Sequence, residues 1–361
     1  MTRPTQARLD LQALRHNFAL AAQLAPRSRI MAVVKADAYG HGALAIARQL
    51  APLADALAVA SIEEAQALRG GGIAGPILLL QGAFEAAELD SAAQLDLWLT
   101  IDSERQMQWL ERAKPAAPLR CWLKLDTGMH RLGVAPQRAT DAYRRLAACP
   151  NVADEIVLFT HFAAADEPDS AQTRVQMAVF EKVCGGLPGA RSAANSPALL
   201  GWPAAHYDWV RPGYMLYGNS PFRTPHPNTA PLRPVMTLVS AVTSLRDVAA
   251  GEAVGYGATW VAPRASRIAT VTIGYGDGYP RQARNGTPVL VNGQRAALAG
   301  RVSMDMITVD VTAIPGVAVG DEVVLWGPGL TVGEVAAHAD TSGYELTTRM
   351  PARVPRVVAV E

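Results

Sequence analysis

Two textures in the chain predict an α/β fold, a (β/α)8 barrel of the TIM type followed by a C-terminal all-β domain. From residue 29 to about 217, short apolar runs alternate with Ala-rich segments of helical period, the pattern of strand and helix units wound around a parallel sheet. After about residue 235 the chain turns to β-branched runs cut by Gly, Pro and Asp, which suits antiparallel strands. Residues 221–234 hold several prolines and read as an extended linker, so the expected division is 1–230 and 231–361.

Barrel strands are predicted near residues 30–35, 56–60, 76–81, 97–101, 121–126, 156–161, 190–195 and 209–211, each a short apolar run bounded by turn residues. Helices are expected over 43–50, 62–69, 84–94, 104–112, 136–148 and 170–183. Gly70-Gly71-Gly72 stops the second of these, and Pro136 takes a first-turn position where its missing N–H is harmless. The second part is expected to hold strands over 236–245, 267–273, 288–291, 306–311 and 322–325, and one helix over 332–338.

Lys35, Asp126, His161, Asn195 and Arg211 all fall at the C-terminal ends of predicted strands. In a barrel of this kind, the loops at that mouth gather the catalytic groups. Lys35 ends the apolar run Arg29-Ile30-Met31-Ala32-Val33-Val34, and Ala36-Asp37-Ala38-Tyr39-Gly40-His41-Gly42 follows, its glycines permitting a tight turn into the next helix. Desolvation at such a place lowers the pKa of an amine and favours the free base that a Schiff base requires. An ordinary lysine snorkelling from a strand end fits the same segment. The run Gly274-Tyr275-Gly276-Asp277-Gly278 lacks the strand-to-helix setting of a dinucleotide loop and reads as a turn.

With 361 residues, 50% of them hydrophobic, the chain can bury a sizeable core. Lys+Arg 33 against Asp+Glu 32 leaves a formal net charge of +1 with no basic block, which argues against nucleic acid or an anionic membrane and for a small-molecule partner. Cys121, Cys149 and Cys184 are odd in number and lack metal-type spacing, so no metal is expected and a reducing compartment is. Residues 1–10 carry charges where a signal peptide needs an apolar region, and no apolar stretch reaches spanning length. The expectation is a cytoplasmic protein.

Six further motifs follow the lysine segment: Asp126-Thr127-Gly128-Met129-His130-Arg131-Leu132-Gly133, Thr160-His161-Phe162, Asn195-Ser196, Arg211-Pro212-Gly213, Val254-Gly255-Tyr256-Gly257 and Gly300-Arg301-Val302-Ser303-Met304-Asp305. In this order, and over nearly the whole chain, they resemble the signatures of the alanine racemases. The resemblance implies an enzyme that interconverts L- and D-alanine on pyridoxal 5'-phosphate, feeding peptidoglycan or alanine catabolism. It also implies that the first few residues leave the barrel for the β-domain.

Residue by residue, the resemblance makes Lys35 both cofactor tether and base, with Tyr256 as the second base on the opposite face. In the family that tyrosine comes from a partner subunit, which implies a homodimer with shared sites. Arg211 would donate to the pyridine nitrogen without protonating it, keeping the ring a weak electron sink, and His161 would hold Arg211 in place. Tyr39, Ser196, Gly213 and Tyr214 match the phosphate cluster, with Asn195 beside them. Arg131 would reach the cofactor's phenolic oxygen and the substrate carboxylate, Met304 would offer that carboxylate a backbone contact, and Tyr275, Asp166, Arg281 and Arg301 would line the entrance.

Lys124 matches a lysine often carbamylated in the family, a change that would replace repulsion from Arg131 with attraction, though it also fits an ordinary lysine on the fifth strand. One departure is Ala352, which stands where some members have a phosphate-contacting tyrosine. An amino-acid decarboxylase of the same architecture would want an acidic residue at the pyridine nitrogen and a cysteine in the β-domain. This chain has Arg211 and no cysteine after Cys184. A non-enzymatic cofactor-binding barrel would lack the β-domain and Tyr256.

Overall fold

The computed structural model describes residues 3–358. Eight parallel strands close the barrel: β2 (Arg29–Val33), β3 (Ala56–Val59), β4 (Ile77–Leu79), β5 (Leu97–Ile101), β6 (Leu119–Lys124), β7 (Val152–Phe159), β8 (Arg191–Ser192) and β9 (Trp209–Val210). They are preceded by β1 (Gln6–Leu9), and β9 returns to β2 with Arg29 opposite Trp209. The period-2 alternation of a strand divides their side chains between two cores. Met31, Val33, Ala56, Ala58, Leu78, Trp122, Val157, Phe159 and Trp209 fill the interior, while Ile30, Ala32, Leu57 and Val59 face the surrounding helices. The small Ala56 and Ala58 leave room for the indoles of Trp98, Trp122 and Trp209, whose centroids lie 5.5–6.2 Å apart.

The second domain is an eight-stranded sheet, to which β1 contributes one strand from the N-terminal end. The rest are β10 (Met236–Val248), β13 (Ser266–Val271), β14 (Pro288–Val291), β15 (Gln294–Leu298), β16 (Ile307–Asp310), β17 (Glu322–Trp326) and β18 (Arg356–Val358). β1 runs antiparallel to β10 and parallel to β18, so both ends of the described chain enter this sheet. A separate hairpin of β11 (Ala253–Val254) and β12 (Trp260–Val261) carries Tyr256 at its tip.

Four local differences from the sequence reading matter. The first barrel strand ends at Val33 rather than running to Lys35, because the chain coils at once into the turn Lys35–Gly40. The strand expected over 190–195 is only Arg191–Ser192, and just beyond it the Ala193 carbonyl accepts from the Arg211 guanidinium. The helix expected from 84 starts at Glu88, whose carboxylate accepts from the Phe84 N–H and holds the preceding residues in turns. The proline-rich join is also less extended than expected: it includes the turn Pro227–Thr229, and Asn228 donates to the Leu200 carbonyl.

Candidate active site

The barrel mouth opens into a cavity of about 1240 Å³. Lys35, Tyr39, Lys124, Arg131, His161, Asp166, Asn195, Ser196, Arg211, Gly213 and Tyr214 all line it. The sequence reading therefore placed eleven candidate residues around one space, although their strands are spread over nearly two hundred positions.

Lys35 is followed by four residues in left-handed conformation, Ala36, Asp37, Ala38 and Tyr39, with φ between 52° and 54°. For L-residues this region costs about 1–2 kcal/mol per residue and is normally visited singly. Such strain persists only where the surroundings over-determine it, and functional sites are where it collects. Here the Ala36 N–H donates to Glu64 at 2.7 Å, and the Ala43 N–H donates to the Asp37 carboxylate at 2.6 Å. Arg356 donates to the Gly40 carbonyl at 3.0 Å, which ties the turn to the second domain. Burial, then the Arg131 charge, lowers the Lys35 pKa, while Glu64 partly opposes this.

Arg211 is buried and anchored by Ser192 Oγ at 2.5 Å and by the carbonyls of Thr160 at 2.6 Å and Ala193 at 3.2 Å. Those three groups hold it, and no hydrogen bond joins it to His161 among the described residues. Burial lowers its pKa to about 9, which still leaves a cation at neutral pH. Burial and the Arg211 charge together hold His161 well below its usual range, so its ring is neutral. Lys124 is brought down to about 8 by burial, against the pull of Asp102.

Ser196 Oγ accepts from the N–H groups of Gly213 and Met215, at 2.9 and 3.2 Å. A Cβ at Gly213 would stand 2.5 Å from the Tyr39 hydroxyl, so a side chain there would displace that ring. Asn195 spends its side-chain oxygen on the Ala198 N–H, capping the short helix Ser196–Gly201. Asp126 Oδ1 gathers the N–H groups of Gly128, Met129 and His130, fixing the loop that brings Arg131 to the mouth.

Four residues that sequence reasoning missed come from the helix Gly343–Thr348 and its cap: Ser342, Tyr344, Glu345 and Thr348 line the same cavity. The Tyr344 ring stacks on Tyr214 at 3.6 Å and 14°, while Ala352 is exposed and lies outside the lining. The aromatic wall is thus completed by a residue eight positions earlier than the missing tyrosine. No spacing rule reveals this, because it depends on how the second domain docks against the barrel.

Tyr256, Tyr275, Arg281, Arg301 and Met304 lie outside the lining of the chain's own cavity. Tyr256 is 73% exposed and Met304 53%. The turns bearing Tyr275 and Met304 are joined backbone to backbone, with Tyr275 N–H donating to Ser303 O at 3.0 Å and Gly276 N–H to Met304 O at 2.9 Å. Beneath them the buried Asp277 pairs with Arg3 at 2.5 Å and Arg353 at 3.0 Å. The carboxylate is fully buried while its arginine partners are part-exposed, so the pair anchors the turns from beneath.

A planar, anionic aldehyde cofactor fits the donor set. Five cationic side chains line the cavity, Lys35, Arg105, Lys124, Arg131 and Arg211, two of them amines with depressed pKa, and the glycine cradle under Tyr39 admits a close approach. No group of acidic, His and Cys side chains among the described residues is arranged to hold a metal ion.

Residues 9–221 match the alanine racemase N-terminal domain and residues 235–358 the C-terminal domain. The catabolic alanine racemase of Pseudomonas putida is 53% identical over 98% of each chain. A biosynthetic alanine racemase from Pseudomonas aeruginosa, known from its crystal structure, is 50% identical, with a TM-score of 0.96 over 99% of this chain and 100% of that one. The alanine racemase of Bartonella henselae, solved with covalently bound pyridoxal phosphate, is 30% identical, with a TM-score of 0.88 over 99% of each chain. The chain therefore belongs to the alanine racemase family of pyridoxal-phosphate-dependent isomerases.

Proposed function

We propose that this chain racemises alanine in the cytoplasm as a homodimer whose two active sites are each built from both subunits. The reading rests on one observation: Lys35 enters a cavity whose own-chain lining holds no Tyr256, while Tyr256 stands exposed at a hairpin tip.

Pyridoxal phosphate, when bound, supplies the electron sink that makes the alanine α-proton acidic enough to remove. Lys35 would hold it, with Tyr39, Ser196, Gly213 and Tyr214 around its phosphate, Asn195 and His161 nearby, and Arg211 at its ring nitrogen. The Nζ of Lys35, kept available as a free amine by burial, takes or returns the α-proton on one face. The Oη of a partner's tyrosine equivalent to Tyr256 does so on the other. Arg131 and the backbone of Met304 from the second subunit orient the carboxylate. Tyr275, Asp166, Arg281 and Arg301 form the entrance.

Lys124 stands near Arg131 and Arg211 with its pKa at about 8, so an appreciable neutral fraction is available to capture carbon dioxide. Carbamylation would turn it into an anion facing two arginines. Relatives described as catabolic and as biosynthetic stand at 53% and 50% identity, so the proposal keeps to the shared reaction, serving either D-alanine supply for peptidoglycan or alanine breakdown.

Borohydride reduction of the holoenzyme followed by peptide mass spectrometry tests the assignment. The expected result is a cofactor adduct on Lys35. An adduct on another lysine, or none, overturns it.

A further inference from the structure

His41 is a fully buried histidine that the proposed reaction does not use. It lies directly after the left-handed turn, and its Nδ1 stands 3.0 Å from both the Ala38 and the Tyr39 carbonyl oxygens. Two carbonyls only accept, so Nδ1 carries the proton and donates to both. Nε2 is buried with no hydrogen-bond partner among the described residues, which leaves Nδ1 as the nitrogen that fixes the ring. The imidazole is clamped from its face by Tyr217, stacked at 4.5 Å and 27°. Tyr217 in turn donates to the Val33 carbonyl at 3.0 Å, at the end of the strand that leads to Lys35.

The turn therefore has a separate restraint on each part. Glu64 takes its first N–H, Ala43 and Gly42 are bonded to Asp37, and Arg356 takes the Gly40 carbonyl. The carbonyl of Tyr39 is left to His41. Without that donor the Tyr39 carbonyl loses its partner and the Ala38 carbonyl keeps only the His41 backbone N–H at 3.1 Å, so the bonds that offset the left-handed conformation weaken, and relaxation toward ordinary backbone angles would swing Lys35 and the Tyr39 hydroxyl out of the cavity. We propose that His41 is a positioning residue for Lys35 and Tyr39, acting through the two hydrogen bonds from its Nδ1 that hold the left-handed turn. The inference deepens the proposed function, and rests on it for the importance of Lys35.

Three variants of the holoenzyme separate the donor from the ring. His41→Phe keeps an aromatic ring against Tyr217 and deletes the donor. His41→Asn keeps a donor near the position of Nδ1 and deletes the ring. The double variant Ala36→Gly/His41→Phe removes a β-carbon from an exposed left-handed position, where glycine is unstrained. Hydrogen exchange of the peptide spanning residues 34–42 reads the turn itself, whether or not Lys35 carries the cofactor.

In His41→Phe that peptide should exchange at least about tenfold faster while the rest of the barrel is unchanged. Its kcat should fall by about ten- to a hundredfold with KM within about threefold, the split expected when a catalytic group is displaced but binding survives. His41→Asn should stay within about threefold of wild type on every measure, and the glycine should recover much of the loss in the double variant. Wild-type exchange in His41→Phe overturns the proposal. So does equal damage in the Asn and Phe variants, including failure of both to fold, because the ring and not the donor would then be what matters. Fast exchange in residues 34–42 with unchanged kcat would keep the clamp but refute its role in positioning Lys35.

Discussion

The barrel mouth and the outer face of the second domain, which the proposed function assigns complementary halves of the chemistry, are built in opposite ways. At the mouth, charged groups are buried and held by many bonds: Arg211 has three acceptors, and Lys35 sits beside a strained turn pinned on several sides. On the outer face, Tyr256, Tyr275 and Met304 are exposed on tight turns, and the buried anchor lies underneath, in Asp277 with Arg3 and Arg353. Burial tunes the first half, shifting pKa values where a free amine and a fixed cation are needed. Exposure suits the second half, because a group that completes another chain's site must project beyond its own. On the proposed reading, an isolated chain carries both halves of a site without joining them.

The most severe test of that contrast is complementation. Lys35→Ala and Tyr256→Phe should each nearly abolish racemisation by removing proton transfer on one face. A mixed dimer of the two has one site with both lesions and one with neither. Random re-pairing of equal amounts makes about half the dimers mixed and should return about one quarter of wild-type activity. If subunit exchange is demonstrated and the mixture stays as inactive as its parts, the two faces do not meet across an interface.

A smaller effect should follow from changing the buried cation alone. Arg211→Glu should lower the racemisation rate and raise the keto acid formed per racemisation event, because a carboxylate at the ring nitrogen would favour a protonated ring and a stronger electron sink. Product partitioning, followed by chiral chromatography and a keto-acid assay, checks this. Unchanged partitioning would place Arg211 away from the ring nitrogen. The substitution also removes the donor to Ser192, Thr160 and Ala193, so partitioning and not rate is the informative quantity.

The two regions also differ in how far the sequence reveals them. The alternating strands made the barrel legible, and their C-terminal ends pointed to Lys35, His161, Asn195 and Arg211 before any geometry was known. The conformation after Lys35 was not legible, since Ala36, Asp37 and Ala38 carry no preference for left-handed backbone strong enough to announce four such residues in a row. That turn exists because Glu64, His41 and Arg356, distant in sequence or pointing back on the chain, supply its partners. Tyr344 was missed for a related reason: its place beside Tyr214 is set by domain docking, and the close approach requires Gly343, where a Cβ would collide with the Tyr214 hydroxyl. Periodicity reports which face of an element is buried. It does not report which distant element covers that face.

The finest test uses acid, since two imidazoles of the barrel side, the buried His41 and the half-buried His161, are neutral where an unfolded chain would be charged. Burial lowers the His41 pKa from 6.5 to about 4, and His161 is also well below its ordinary value. A depressed folded-state pKa means that the unfolded chain binds the proton first as pH falls. The contribution is therefore fully present above about pH 6.5 and is lost progressively as the pH drops through about 4. From neutrality to about pH 5 the His41 contribution to this loss is about 2 kcal/mol. His41→Asn keeps the donor but has no proton to bind, so its stability should fall less over that interval. Denaturant unfolding of both proteins at about pH 7 and about pH 5 should show the difference between wild type and variant moving by about 2 kcal/mol in the variant's favour. A constant difference at the two pH values would mean that His41 titrates alike folded and unfolded, and that acid sensitivity does not distinguish this part of the barrel from the exposed face.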